Sequence, residues 1–447
     1  MSIAITQTIH VLQIVVQTVP MGTNFALLQL MWTILNGSFL QSRGAIFPAL
    51  KANSFTPEES RRIWSAFRHG VWHINECIVH WQTYVMAEGQ WQSHSYEGYH
   101  PIPVDWTAFW RFKLKGWSGK LYHTLVGRAM CGVGLGVVCQ VGQVDGQRIP
   151  LLRQIIRTSQ ADRSEAKLKK DTLRWVKHHL DESEVAIIDA GVEISDMQMI
   201  KMPRYVIRLA LNCTGRRDYL PLYKGRGCYP KWGEKVRPLP RTHLDNTIEA
   251  TPPDKCETIQ VDGRTIEVHG WFDLIPPTYK PGEAPATFTI WVFFDPLYDT
   301  PLVLGTNLTE AQSLSIFCLY QDRWPVEQIP LVAKQMLGLH RQFVFAPESC
   351  CRLPELALLL ANILTYLAAI LPPLPTGFWD RRPKKHRDDC DGSYLLQYFL
   401  KMPYLTLNFA KRHQLRTIYR KVWQLIAVKK HQLNGSHQFC TVLQPIF

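Results

Sequence analysis

Four residues stand at a spacing that suits chemistry on a phosphate group. Tyr320, Arg323, Glu327 and Lys334 form the pattern Y-x2-R-x3-E-x6-K. The guanidinium of Arg323 can grip a phosphate through two parallel N–H donors, whereas Lys334 offers a point charge. Glu327 supplies the hard carboxylate oxygen that Mg²⁺ prefers. Steps of three, four and seven residues keep side chains together on a helix, so the segment predicts a helix displaying all four on one face. Four fixed residues at fixed spacing arise by chance in roughly one chain of this length in several hundred. Structural roles compete with the chemical ones. Arg323 and Glu327 are also an i,i+4 pair that can form a helix salt bridge, and Tyr320 also suits a core.

The surrounding elements must position these groups. From Asn24 to about Met86 the pattern is helical, and Thr56-Pro57-Glu58-Glu59 is a strong helix start. The helix it opens carries Ile63, Phe67, Val71, Ile74 and Ile78 at steps of three and four, together with Arg61, Arg62 and Arg68. Strands follow at Val104 to Phe112, Leu125 to Val141 and Arg148 to Ile156, the last two joined through the turn signal Asp145-Gly146. Next come a helix from Ser164 to Leu180, a strand at Val185 to Ile188 ending in Asp189, a short helix near Ser195 to Lys201 and a strand at Tyr205 to Leu211. This order predicts a mixed sheet with helices packed on it.

Residues 215–304 are dense in Pro and Gly and contain a hairpin signal at Asp262-Gly263 and a strand pair at Phe288 to Phe294 and Leu302 to Gly305. Lys224, Arg226, Lys231, Lys235, Arg237 and Arg241 crowd the first part of this stretch. Helices return at Thr309-Glu310, again around Pro325 with an end near Gly338, and at Pro354 to Leu371.

The chain of 447 residues has 50 Lys+Arg against 37 Asp+Glu, a net charge of +13. That balance points to a polyanionic partner, either nucleic acid or an anionic membrane surface. Residues 376–447 hold 13 Lys+Arg against 4 Asp+Glu, so most of the surplus lies there. Within that tail, Lys411, Arg412, Arg416, Arg420 and Lys421 fall on a helix-like stretch. The apolar run Leu356 to Leu371 would span about 24 Å as a helix, short of a ~30 Å bilayer core. With Asn362 and Thr365 inside it, the run predicts a buried helix and no membrane span. Gln13 and Gln17 interrupt the first apolar stretch, which argues against a signal peptide. Eleven cysteines without a Cys-x-x-Cys pair exclude a disulfide scaffold and give no zinc spacing. The cysteine usage predicts a reducing cytoplasm.

The Y-R-E-K segment, the strand-ending Asp189 and the β-rich stretch before the motif resemble the bacterial cut-and-paste insertion-sequence transposases. The resemblance covers about Pro103 to Gly338. It implies an α/β fold: an RNase H-like mixed sheet with helices on both faces, interrupted by a β-rich insertion, with helical N- and C-terminal regions. The implied organisation is a DNA-binding helical region at 1–100, a catalytic core at 101–214 and 305–375, the insertion at 215–304, and a basic helical region at 376–447. It also implies a catalytic, metal-binding triad of Asp105, Asp189 and Glu327, with Asp196 and Asp162 as alternative acids. Two Mg²⁺ ions, or Mn²⁺ in their place, would be the cofactors. Tyr320, Arg323 and Lys334 would contact DNA, and Trp291 or Trp271 would stack on a flipped base. The implied partners are terminal inverted repeats, target DNA and a second copy of the chain, in the cytoplasm at the bacterial nucleoid. Two other readings fit the same residues: a DNA-binding protein derived from a transposase, and a metal-dependent nuclease without strand transfer.

The charge surplus gives a direct expectation. Binding to DNA should weaken steeply between about 50 and 200 mM salt, as counterions are released from neutralised phosphates. A binding constant that barely moves in a salt titration by fluorescence anisotropy would remove the nucleic-acid assignment.

Overall fold

A computed structural model describes residues 3–158, 162–223, 225, 227–243 and 246–371. The basic C-terminal region at 376–447 lies outside the described residues, as do Lys224 and Arg226. The chain opens with α1 (Ile3–Val15), α2 (Thr23–Leu35), α3 (Ser38–Gln41), α4 (Ile46–Ala52), α5 (Pro57–His69) and α6 (Ile74–Glu88). Strands β1 (Gln92–Ser93), β2 (His100–Trp110), β3 (Lys120–His123), β4 (Arg128–Val144) and β5 (Gln147–Arg157) follow. Then come α7 (Glu165–His179), β6 (Glu184–Ile188), α8 (Ile194–Ile200) and β7 (Tyr205–Arg208). A β-rich stretch holds β8 (Gly215–Arg217), β9 (Lys235–Val236), β10 (Arg241–His243), β11 (Asn246–Ile248), β12 (Lys255–Val261), β13 (Arg264–Ile275), β14 (Phe288–Phe294) and β15 (Leu302–Thr306). The last described elements are α9 (Ser313–Gln321), α10 (Trp324–Leu331), a π-helical turn (Val332–Met336) and α11 (Pro347–Ile370). The fold is mixed α/β, with parallel and antiparallel strand pairs.

The chain divides into two compact units. One takes Met1–His94, Asp105–Thr172 and the described residues from Trp324 onward; the other takes Ser95–Val104 and Leu173–Arg323. In the first unit, β4 pairs antiparallel with β5 across the Asp145-Gly146 turn, where both residues have positive φ. Gly136 on β4 lies against α7 so closely that a Cβ there would meet the Thr172 hydroxyl at 2.2 Å, which restricts the position to glycine. The core of this unit gathers apolar side chains of α1, α2, α5, α6, β4, β5, α10 and α11. In the second unit, residues 100–104 of β2 run parallel to β6, and β6 runs parallel to β7. Antiparallel pairing then continues from β7 through β15, β14 and β13, with β12 and β8 also on β13. The hairpin at Asp262-Gly263 forms as its sequence predicts.

Local chemistry explains most element ends. Thr56 accepts a hydrogen bond from the Glu59 backbone N–H at 3.2 Å, and the Glu59 carboxylate accepts one from the Thr56 N–H at 2.8 Å. This box and Pro57 start α5 as expected. The single helix expected to carry Ile63 through Ile78 is corrected, since Ile74 and Ile78 lie on α6. Helix α5 stops at Gly70, so Ile63 and Phe67 are buried while Val71 is 72% exposed. The helix expected from Thr309 begins instead at Ser313, because side-chain and backbone bonds from Thr306 and Asn307 hold residues 308 and 309 in a turn. Helix α11 starts at Pro347 rather than Pro354, which sits inside it.

Helix α11 is the one described helix long and apolar enough to cross a membrane, and 94% of its most apolar window is buried within the protein. Asn362, fully buried on α11, explains how a polar residue is tolerated there. Its side-chain oxygen accepts from the Trp81 indole at 2.8 Å and from the Leu152 backbone N–H at 2.9 Å, and its amide donates to Pro150. Replacing Asn362 with Leu orphans two buried donors. At about 1–3 kcal/mol for each, the variant should lose ~2–6 kcal/mol of unfolding free energy. A urea midpoint equal to that of wild type would refute the role.

Candidate active site

The three parallel strands share one register. Val104 pairs with Ile188, and Ile188 pairs with Ile207. The next residue along each chain segment is charged: Asp105, Asp189 and Arg208. Each of the two units then has its own cluster around these positions.

In the second unit, Asp189 ends β6 half-buried. The Tyr320 hydroxyl donates to its Oδ1 at 3.0 Å, the Arg323 guanidinium lies 3.3 Å from its Oδ2, and Arg208 lies 3.8 Å from Oδ1. Tyr320 and Arg323 are each only 8% exposed. Burial, and then the charge of Asp189, raise the Tyr320 phenol above its ordinary range, so it stays protonated and keeps donating. Next to them, Asp322 is fully buried and accepts from the Tyr96 hydroxyl at 2.9 Å.

In the first unit, Lys334 donates to the Thr107 hydroxyl at 2.7 Å, and its ammonium lies 5.1 Å from the centre of the Phe109 ring. Burial lowers its pKa to about 8, opposed in part by the negative charge of Asp105. Asp105 is half-buried on β2, and Glu327 is half-buried in the first turn of α10.

The expectation of a single helix face for the motif is corrected. Helix α9 closes at Gln321, and Arg323 lies between helices. Glu327 is on α10 and Lys334 is in the π-helical turn. Proline explains both interruptions. Pro325 has no N–H to continue α9 and restricts Trp324 before it; Pro330 removes a donor just ahead of the π turn.

Arg208 was not foreseen, because its relation to Asp189 follows from strand register rather than from sequence spacing. Asp196 and Asp162 serve local structure: each accepts a backbone N–H nearby, from Glu193 and Ser164 respectively. Trp291 and Trp271 are core residues here, 3% and 1% exposed. Trp291 meets Phe272 edge-on, and its ring lies 2.6 Å from where a Cβ on Gly270 would stand.

Among the described residues, no three His, Cys, Asp or Glu side chains are gathered as a metal-binding group. Asp189 offers the hard carboxylate oxygens a divalent cation takes, and a cation there would have to share or displace their present partners Tyr320, Arg323 and Arg208. The chain matches no family model and no curated protein.

The lowered Lys334 pKa has a defined consequence. The folded protein releases this proton near pH 8, while the unfolded chain holds it to about 10.5. Between these values the unfolded state binds more protons, so this residue makes stability rise with pH through that window. Lys334→Met should flatten the rise in urea midpoints measured from pH 7 to 10.5. Parallel pH curves for the two proteins would contradict the assignment.

Proposed function

We propose that this chain is a DDE-type DNA transposase built on an RNase H-like core. The observation that carries the reading is the parallel register of β2 and β6, with an aspartate following the paired positions Val104 and Ile188 on each strand. Supporting it is the neighbour order β5-β4-β2-β6-β7, in which β4 and β5 are antiparallel and β6 and β7 run parallel to the strand before each. Contact of Tyr320 and Arg323 with Asp189 also supports it, since two motif residues meet the proposed second acid.

Asp105, Asp189 and Glu327 are the carboxylates proposed to hold Mg²⁺ or Mn²⁺, a donor set of hard oxygens. When bound, two such ions supply an activated water and stabilise the leaving 3′ oxygen. The protein's own residues do the rest. Tyr320 and Arg323 fix the Asp189 carboxylate in one orientation. Arg323 and Arg208 bring positive charge to where a scissile phosphate would lie. Lys334, with a pKa near 8, is largely charged at neutral pH and adds a further cation. The reaction would be hydrolysis of one strand at a terminal inverted repeat, followed by attack of the freed 3′-OH on target DNA. A dimer would hold the two ends together, acting at the nucleoid in the cytoplasm.

Labelled DNA ends incubated with Mg²⁺ test this reading. Glu327→Gln should keep DNA binding and reduce cleavage by more than about 100-fold, since even outer-shell changes at metal sites cost 10–100-fold. Binding without cleavage by wild type overturns the enzyme assignment. Cleavage by both proteins overturns the site.

A further inference from the structure

The start of the β-rich stretch, within the second unit, carries cations that no ion pair among the described residues joins to a carboxylate. Arg216 on β8, Arg237 just after β9 and Arg241 on β10 all lie near enough for their charge to act on Lys235 on β9. Burial first, then the charges of Arg237, Arg241 and Arg216, hold the Lys235 ammonium below its ordinary range. Their neighbour Arg217 differs: its guanidinium donates twice to Asp254, at 2.7 and 2.6 Å. Among the described residues, no ion pair joins Arg216, Lys235, Arg237 or Arg241 to a carboxylate. The Nε–H groups of Arg216, Arg237 and Arg241 are buried with no hydrogen-bond partner. Like charges brought together lower stability unless an anion joins them.

The loop that joins β8 to β9 carries exposed rings. Trp232 is 40% exposed and has the Arg216 guanidinium 5.2 Å from its ring centre. Tyr229 is 72% exposed and stacks on Tyr223 with 4.1 Å between centroids and 19° between planes. Large aromatic rings left in water beside unpaired cations match the two requirements of single-stranded nucleic acid, a track for phosphates and flat surfaces for bases. A duplex keeps its base faces stacked inside and offers these rings nothing to cover.

We infer that this face binds an unpaired stretch of nucleic acid, with the four cations taking phosphates and Trp232 and Tyr229 stacking on bases. The inference uses none of the carboxylates assigned to cleavage, so it stands or falls apart from the transposase reading.

The test uses the full chain in EDTA, where no cleavage occurs, with a fluorescein-labelled oligothymidylate and a duplex of equal phosphate number. Four phosphate contacts predict a salt slope of about −3 for the single strand, at ~0.7 per contact. Lys235→Gln and Arg241→Gln should each reduce that slope by about 0.7. Tyr229→Ala and Trp232→Ala should each weaken oligothymidylate binding about tenfold and leave duplex binding unchanged. Trp232→Phe keeps a ring and should bind nearly as wild type, which separates lost stacking from lost folding. Ring variants that bind oligothymidylate as wild type, an equal loss on the duplex, or Trp232→Phe failing as badly as Trp232→Ala would each overturn the inference.

Discussion

The register of β2, β6 and β7 is the constraint on which the candidate chemistry depends. Side chains alternate along a strand, so a slip of one residue would exchange the faces of every position on it. Pairing Val104 with Ile188, and Ile188 with Ile207, settles which residue follows the buried apolar layer on each strand. Burial enforces that choice. Val104, Ile188 and Ile207 are each at most 1% exposed, and moving charged neighbours into their places would bury Asp105, Asp189 and Arg208. The hydrophobic effect thus holds ionised groups just past the parallel-paired positions without contacting them.

Polar groups in the interior follow the same rule from the other side. Asn362 is tolerated on the most apolar helix because each end of its amide meets a backbone or indole partner. Arg352, on the same helix, gives its guanidinium to the carbonyls of Phe67, Gly70 and Trp72, which the end of α5 would otherwise leave unsatisfied. The Nε–H groups of Arg216, Arg237 and Arg241 are among the described buried polar atoms that depart from this rule, and their clustering makes them informative.

Signals that act over a few residues were legible in the sequence. The capping box at Thr56, the turns at Asp145-Gly146 and Asp262-Gly263, and the strand ending in Asp189 all appear where local chemistry puts them. Signals that need tertiary information were not. The motif spacing suggested one helix face, but Pro325 and Pro330 interrupt the helical repeat, so equal spacing no longer means a shared face. Arg208 beside Asp189 depends on strand order that spacing cannot carry. Trp291 could be read as core or as a base-stacking residue because β14 is buried along nearly its whole length, so alternation marks no open face.

The discontinuity of the first unit has a consequence for how the protein comes into being. Its N-terminal helices are made early, yet much of their apolar partner surface belongs to α10 and α11, which begin at Trp324 and Pro347. A ribosome adding about 5–20 residues per second needs on the order of tens of seconds to travel from the end of α6 to the end of α11. Throughout that interval the parts of the helices that pack on α10 and α11 wait for a mate not yet made. The second unit draws only on residues up to Arg323, so it is complete in the chain before the first. The unit that opens first is therefore completed last, and helices α1 to α6 are the elements most in need of chaperone protection.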